Sequence, residues 1–290
     1  MTEVASPPTP RAPSWMLPAG GCDSHTHVFG PYDRFPVMHQ MHYTPPFAPV
    51  QLYLDMLART GLEHGVIVQP GAYGSDAELM IHALNASGGR LRGICASESL
   101  DKATFDRWHA AGIRGLRFND TPVPGGAGKF PGAVNSEALG GLATGMQTKG
   151  WHAEIWAPIE KHVESIARYR GLGIPVVLDH MGSLVVSRGP NDPAFQKLLT
   201  ALKEGWLWLK LVLCRCSQDF PNYADLRPFH DALIAANPNR LVWGSDWPHL
   251  RLGHRAPDAG HLLDLFREWV PDETVRHRIL VENPAELYDF

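Results

Sequence analysis

The sequence predicts a (β/α)8 barrel of the TIM type, a single α/β domain over residues 19–290 behind a short Pro-rich arm at residues 1–18. Three observations predict it. Eight short runs rich in Val, Ile, Leu and Trp recur along the chain, and they are continuous rather than alternating, as strands covered on both faces read. Stretches with helical spacing separate them, and several end in a glycine just before the next run. Eight such units in 290 residues suit one closed barrel. A doubly wound open sheet is the alternative, but no Gly-x-Gly-x-x-Gly follows the first run.

Taken in order, the arm is rich in Pro and Ala and reads as an extended lead-in. The first run, 21–28, carries Asp23-Ser24-His25-Thr26-His27. A helical pattern at 50–60 stops at Gly61 ahead of the second run, 64–69, and another at 76–86 precedes the third, 91–96. The pattern at 102–111 stops at Gly112 before the fourth run, 113–118. The fifth run, 151–156, leads into a helix at 159–169 that stops at Gly171, and the sixth, 175–180, into one at 194–203 that stops at Gly205. The seventh run, 206–213, is followed by a helical pattern at 226–236 and then the eighth run, 241–246. The tail Asn283-Pro284-Ala285-Glu286 reads as a helix start, with Asn as N-cap, Pro at the first position and Glu at the third.

Bulk properties exclude several classes. A net charge of -4 leaves no basic footprint for nucleic acid or an anionic membrane, and no apolar run has the length of a membrane span. The N-terminal stretch lacks the apolar core of a secretory signal, so a cytoplasmic protein is expected. Cys22, Cys95, Cys214 and Cys216 show no metal or redox spacing and are expected to be buried, reduced thiols. Homo-oligomerisation is left open.

Barrel enzymes of this kind work at the C-terminal ends of their strands. Several polar residues fall there. His25 and His27 share one strand face because residues two apart point the same way. Arg117 nearly closes the fourth run, Glu154 and Trp156 the fifth, His180 the sixth and Asp246 the eighth, and Arg215 follows the seventh. Imidazoles and a carboxylate so placed can hold a divalent ion, or polarise a carbonyl while the carboxylate draws a proton from water. Arg117 and Arg215 suit bidentate capture of a carboxylate. Glu154 could bind a metal or pair with an arginine. His152 is expected to be structural, and the loop and helix histidines, His162 and His230 among them, are expected to face solvent. The long loops at 30–49, 119–135 and 247–260 are candidate lids.

These residues resemble the amidohydrolase superfamily, and within it the branch of 2-pyrone-4,6-dicarboxylate lactonases and sugar-lactone hydrolases. The similarity runs from about residue 18 to the end. It rests on the segment from Gly21 to Pro31, on Gly115-Leu116-Arg117-Phe118-Asn119, Val177-Leu178-Asp179-His180-Met181-Gly182, Gly244-Ser245-Asp246-Trp247-Pro248-His249 and Asn283-Pro284-Ala285-Glu286. The resemblance implies hydrolysis of a small anionic lactone. Asp246 would be the general base, His25, His27 and His180 would polarise the carbonyl, and Arg117, Arg215 and Trp156 would hold the substrate. It implies either no metal or one divalent ion, Zn2+ or Mn2+, on His25, His27, His180, Asp246 and Glu154. The pattern is broken in three places: Asp120-Thr121-Pro122-Val123 replaces further basic residues, Trp156 a tyrosine, and Glu154 an apolar residue. The expected substrates are therefore a 2-pyrone-4,6-dicarboxylate-like, muconolactone-type or sugar lactone. A metal-dependent decarboxylase or lactone isomerase on the same barrel is the alternative. A silent small-molecule binder is the reading from another class, and the intact His/His/His/Asp set argues against it.

Overall fold

The computed structural model describes residues 6–123, 125–126 and 128–290. Eight parallel strands run β1 (Cys22–Thr26), β2 (His64–Val68), β3 (Leu91–Cys95), β4 (Ile113–Asn119), β5 (His152–Trp156), β6 (Val176–Leu178), β7 (Leu207–Leu211) and β8 (Leu241–Trp243), each paired with the next in chain order. The barrel closes between its first and last strands at their C-terminal ends. Asp246 N donates to His25 O at 2.9 Å, and His27 N to Trp247 O at 2.8 Å. Gly244 permits this approach, since a Cβ there would lie 2.8 Å from the His25 Cβ.

The helices α1 (Val50–Thr60), α2 (Glu78–Ala86), α3 (Lys102–Ala110), α4 (Leu139–Thr148), α5 (Ile159–Arg170), α6 (Pro193–Lys203), α7 (Arg227–Ala236) and α8 (Ala259–Trp269) cover the outside. Six lie where the sequence pattern puts them. α4 and α8 occupy intervals for which no helix was named. Three of the ten residues of α4 are glycine, so its intrinsic propensity is poor; burial of Leu139, Leu142 and Met146 holds it instead. The expected stop at Gly61 is left-handed, with φ 81° and its N–H on Leu57 O. Gly171 stays right-handed at φ -73°.

The C-terminal end corrects the sequence reading. Asn283 is no N-cap: its backbone is helical, continuing from α9 (Glu273–His277) through a π turn at Arg278–Glu282 into α10 (Asn283–Tyr288). Its side chain instead donates to Pro238 O at 2.8 Å and Leu241 O at 2.7 Å, pinning the helix to the start of β8. α10 then carries Leu287 and Tyr288 into an apolar cluster with Val66, Val177 and Val242. The arm packs against α8, where Ser14 N donates to Asp264 and Trp15 Nε1 to Leu263 O. No helix among the described residues is long and apolar enough to cross a membrane.

Two histidines also depart from expectation. His162 on α5 and His230 on α7 are buried, not solvent-facing. Burial drives His162 down to about 4 and His230 to about 3, so both are neutral in the fold. The unfolded chain takes up these protons near pH 6.5, so between that pH and the folded values it binds more protons than the native state. Stability is therefore full above pH 6.5 and is expected to fall as pH drops, by about 1.4 kcal/mol per unit for each histidine. Urea denaturation of the parent and His162→Leu between pH 6 and 4.5 checks this. The variant should lose about one proton's worth of slope, and an unchanged slope would refute the assignment.

Candidate active site

Asp246 lies three residues beyond β8, at φ 62°, and His180 two beyond β6, at φ 48°. Both are in the left-handed region that non-glycine residues seldom adopt, which marks positions held by their surroundings. For Asp246 the holding group is Asp23, a buried carboxylate on β1. It accepts from Ser245 N at 2.8 Å and Ser245 Oγ at 2.6 Å, and Tyr53 Oη lies 3.3 Å away. Burial raises its carboxyl to about 6 against these hydrogen bonds. Asp23 thus clasps the residue before Asp246 to the strand that carries His25 and leads directly into His27.

Asp246 Oδ1 stands 3.8 Å from His25 Nε2, 3.7 Å from His27 Nε2 and 3.7 Å from His180 Nε2. These residues are all buried, and among the described residues the carboxylate oxygen has no hydrogen-bond partner. Its partner oxygen is taken by Arg215 Nε at 2.5 Å and the Cys214 thiol at 3.4 Å. Burial works to raise the Asp246 carboxyl, but the Arg215 guanidinium outweighs it and holds it well below the usual range. It is ionised.

The imidazoles are neutral, because burial is the first cause lowering each of them. Their tautomers differ. His27 Nδ1 lies 2.7 Å from Val68 O, a carbonyl that can only accept, so the proton is on Nδ1 and Nε2 offers a lone pair. His25 Nδ1 lies 3.0 Å from Lys210 Nζ, an ammonium that can only donate, and farther, at 3.3 Å, from the Asp179 Oδ1 acceptor, so the Lys210 contact sets its tautomer. Its proton is therefore on Nε2, aimed at the site.

Lys210 was not singled out from the sequence. It is fully buried on β7 and also reaches Glu154 Oε2 at 2.5 Å and Asp179 Oδ1 at 3.5 Å. A lysine inside the apolar run Leu207-Trp208-Leu209-Lys210-Leu211 was the available signal, since an unpaired buried ammonium is not tolerated. Glu154 consequently groups with His25 and Asp179 and not with His180 and Asp246. It is held by Lys210, by Tyr288 Oη at 3.1 Å and by His152 at 3.4 Å. His25, His180 and Asp246 do bring ligand atoms within 4.8 Å of one another, a grouping that leaves His27 out. His25 Nε2, His180 Nε2 and Asp246 Oδ1 are buried without partners, so these three fit one divalent ion in number and type. His25 would then have to carry its proton on Nδ1, facing Asp179 Oδ1 at 3.3 Å.

The pocket above Asp246 is lined by Tyr43, Arg117, Phe130, Trp156, His180 and Arg251, among others, and has about 480 Å³ of free space, mouth included. Trp156 stacks on Phe130 (5.7 Å, 28°) and meets the His180 ring edge-on at 5.0 Å. Arg117 lines the pocket but is tethered, with Nη1 on Gln69 O at 3.1 Å and Nη2 3.6 Å from Asp179. Arg215 is spent on Asp246 and on Leu250 O at 2.7 Å. Asp120, in the segment that stands where the resemblance implies further basic residues, turns away to accept from Ser136. Tyr43 and Arg251 sit in the 30–49 and 247–260 loops expected as candidate lids, but no periodic pattern distinguishes either residue within them.

Residues 22–290 match the amidohydrolase family. A 4-sulfomuconolactone hydrolase from Rhizobium radiobacter is 36% identical over 95% of this chain and 92% of its own. A 2-pyrone-4,6-dicarboxylate hydrolase from Comamonas testosteroni is 33% identical over 96% and 93%. The structure is also similar to a probable 2-pyrone-4,6-dicarboxylic acid hydrolase from Acinetobacter baumannii with citric acid bound. That likeness has a TM-score of 0.78 and 26% identity, and covers 93% of this chain and 100% of that one.

Proposed function

Because the chain belongs to the amidohydrolase family, we propose that it is a lactonase opening a small anionic lactone of the 2-pyrone-4,6-dicarboxylate or muconolactone type. The observation that carries this reading is Asp246 Oδ1, a buried and unbonded carboxylate oxygen at the focus of three neutral imidazoles. A lone oxygen so placed serves to receive a proton. Water attacks the lactone carbonyl carbon and gives one proton to Asp246 as the new C–O bond forms. His25 Nε2–H, kept as a donor by Lys210, faces the developing oxyanion. The ring C–O bond then breaks and Asp246 returns its proton to the departing ring oxygen. The second proton of the water leaves with the new carboxylic acid.

Arg215 keeps Asp246 ionised and oriented, and Arg117 with Trp156 bounds the space for the ring. A divalent ion such as Zn2+ or Mn2+ on His25, His180 and Asp246 would polarise the same carbonyl. Relatives named for two different lactones are each more than 30% identical to this chain over most of its length, so we read the pocket walls, rather than the fold, as selecting the ring.

The test is ultraviolet-monitored opening of 2-pyrone-4,6-dicarboxylate and 4-sulfomuconolactone by chelator-stripped enzyme, repeated after Zn2+ or Mn2+ is returned. Opening of at least one with kcat/KM above about 10⁴ M⁻¹s⁻¹ is expected. Turnover of neither, with or without added ion, overturns the reading. Recovery that needs the ion would assign carbonyl polarisation to it.

A further inference from the structure

We infer that Arg251 is an outer anion anchor, which with the Phe130 and Trp156 rings binds a second acidic substituent of the substrate, a carboxylate or a sulfonate. The inference rests on the lactonase reading for the identity of the ring. The anchor itself stands on the following geometry.

Three guanidiniums line the inner pocket, and two are committed. Arg117 is tied to Gln69 and Asp179, and Arg215 to Asp246 and Leu250. Among the described residues Arg251 makes no ion pair, and its side chain makes no hydrogen bond. Its Cζ lies 5.2 Å from the Phe130 ring centre and 5.9 Å from that of Trp156, so the cation rests against an aromatic wall with its donors free. It lines both the inner pocket and the adjoining groove, which places it at the mouth between them. The neighbouring guanidiniums disfavour a third cation, and burial and Arg215 are the first causes lowering its pKa. A bound anion relieves that repulsion.

The backbone aims the side chain. Arg251 has φ 66°, and the carbonyl just before it, Leu250 O, is held by Arg215 Nη1. Arg215 therefore positions the general base on one side and the outer anchor on the other. This arrangement also accounts for the absence of basic residues after Arg117. The loop there carries Asp120, which faces Ser136, while the cation for a second acidic group comes from the loop after β8. A ring with two acidic groups would have one near Arg117 and the other at Arg251.

Two aromatic dianions that lack a lactone, isophthalate and 3-sulfobenzoate, separate this from catalysis, with benzoate as the monoanion. Binding is read from tryptophan fluorescence and calorimetry for the parent, Arg251→Leu and Arg251→Lys. Arg251→Leu is expected to weaken isophthalate or 3-sulfobenzoate about 10-fold, benzoate less than 3-fold, with Arg251→Lys between; the better-held dianion names the acidic group. On an opened lactone with two acidic groups, the loss should fall on KM rather than kcat. Equal losses for benzoate and the dianions, or no loss at all, overturn the anchor. Arg251-dependent dianion binding by an enzyme that opens no lactone would refute the lactonase reading and leave the anchor standing.

Discussion

Asp246→Asn is expected to lower kcat on the opened lactone by about 10³-fold, within the usual range for loss of a general base. The amide is close to the carboxylate in shape and keeps an acceptor, but it cannot take a proton from water or return one to the ring oxygen. The substitution also leaves Arg215, whose side chain is 12% exposed, without its anion. Losing a buried ion partner costs stability, so a drop in Tm of several degrees is expected alongside the kinetic loss. The two effects are separable because the freed guanidinium still faces the pocket. Isophthalate should bind the variant at least as tightly as the parent, while turnover collapses. Turnover within tenfold of the parent in a folded variant would show that another group is the base. His249, buried nearby with its imidazole lowered to about 4, would be the next to test.

The strand rhythm was readable because continuous apolar runs and helix stops are local signals. The residues on the rim were readable because chemistry-bearing side chains stood at run ends. Strand lengths were not. β6 and β8 span three residues each, and His180 and Asp246 lie in left-handed turns beyond them. Hydrophobicity carries no mark of where the extended backbone stops. Asp23 was visible in the motif but its role was not, since its partner Ser245 is 222 positions away. Arg251 was out of reach for a related reason. Its relevance comes from where the loop after β8 places it, over rings contributed by β5 and the 119–135 loop. Glu154 was the instructive case, as its carboxylate at a strand end suggested a ligand or an arginine partner. The structure supplies a lysine from a strand two positions around the barrel, which neither local spacing nor charge pattern reveals.

That lysine leads to the largest stability effect expected outside the core. Lys210→Met keeps length and apolar volume but removes the ammonium that pairs with Glu154 and Asp179, both fully buried. Burial works to raise the Asp179 carboxyl, while the Lys210 and Arg117 cations hold it well below its ordinary value. Asp179 keeps Arg117 at 3.6 Å when Lys210 is lost. Glu154 keeps only the Tyr288 hydroxyl and a histidine. Breaking a buried pair from one side typically costs about 3–5 kcal/mol, which for a chain of this length is a Tm loss on the order of 10 °C. The double variant Lys210→Met/Glu154→Gln removes the stranded charge and retains an acceptor for Tyr288, so it should regain at least half of that loss. A single variant within about 1 kcal/mol of the parent, or a double variant no better than the single, would refute the pairing. The restored double variant then reports on His25 alone. Without Lys210 donating to it, Nδ1 can take the proton and turn toward Asp179, which removes the Nε2–H from the side where the oxyanion forms. A fall in kcat of about 10- to 100-fold with KM little changed is expected in this folded protein. Full activity there would mean that Lys210 stabilises the barrel floor and has no part in orienting His25.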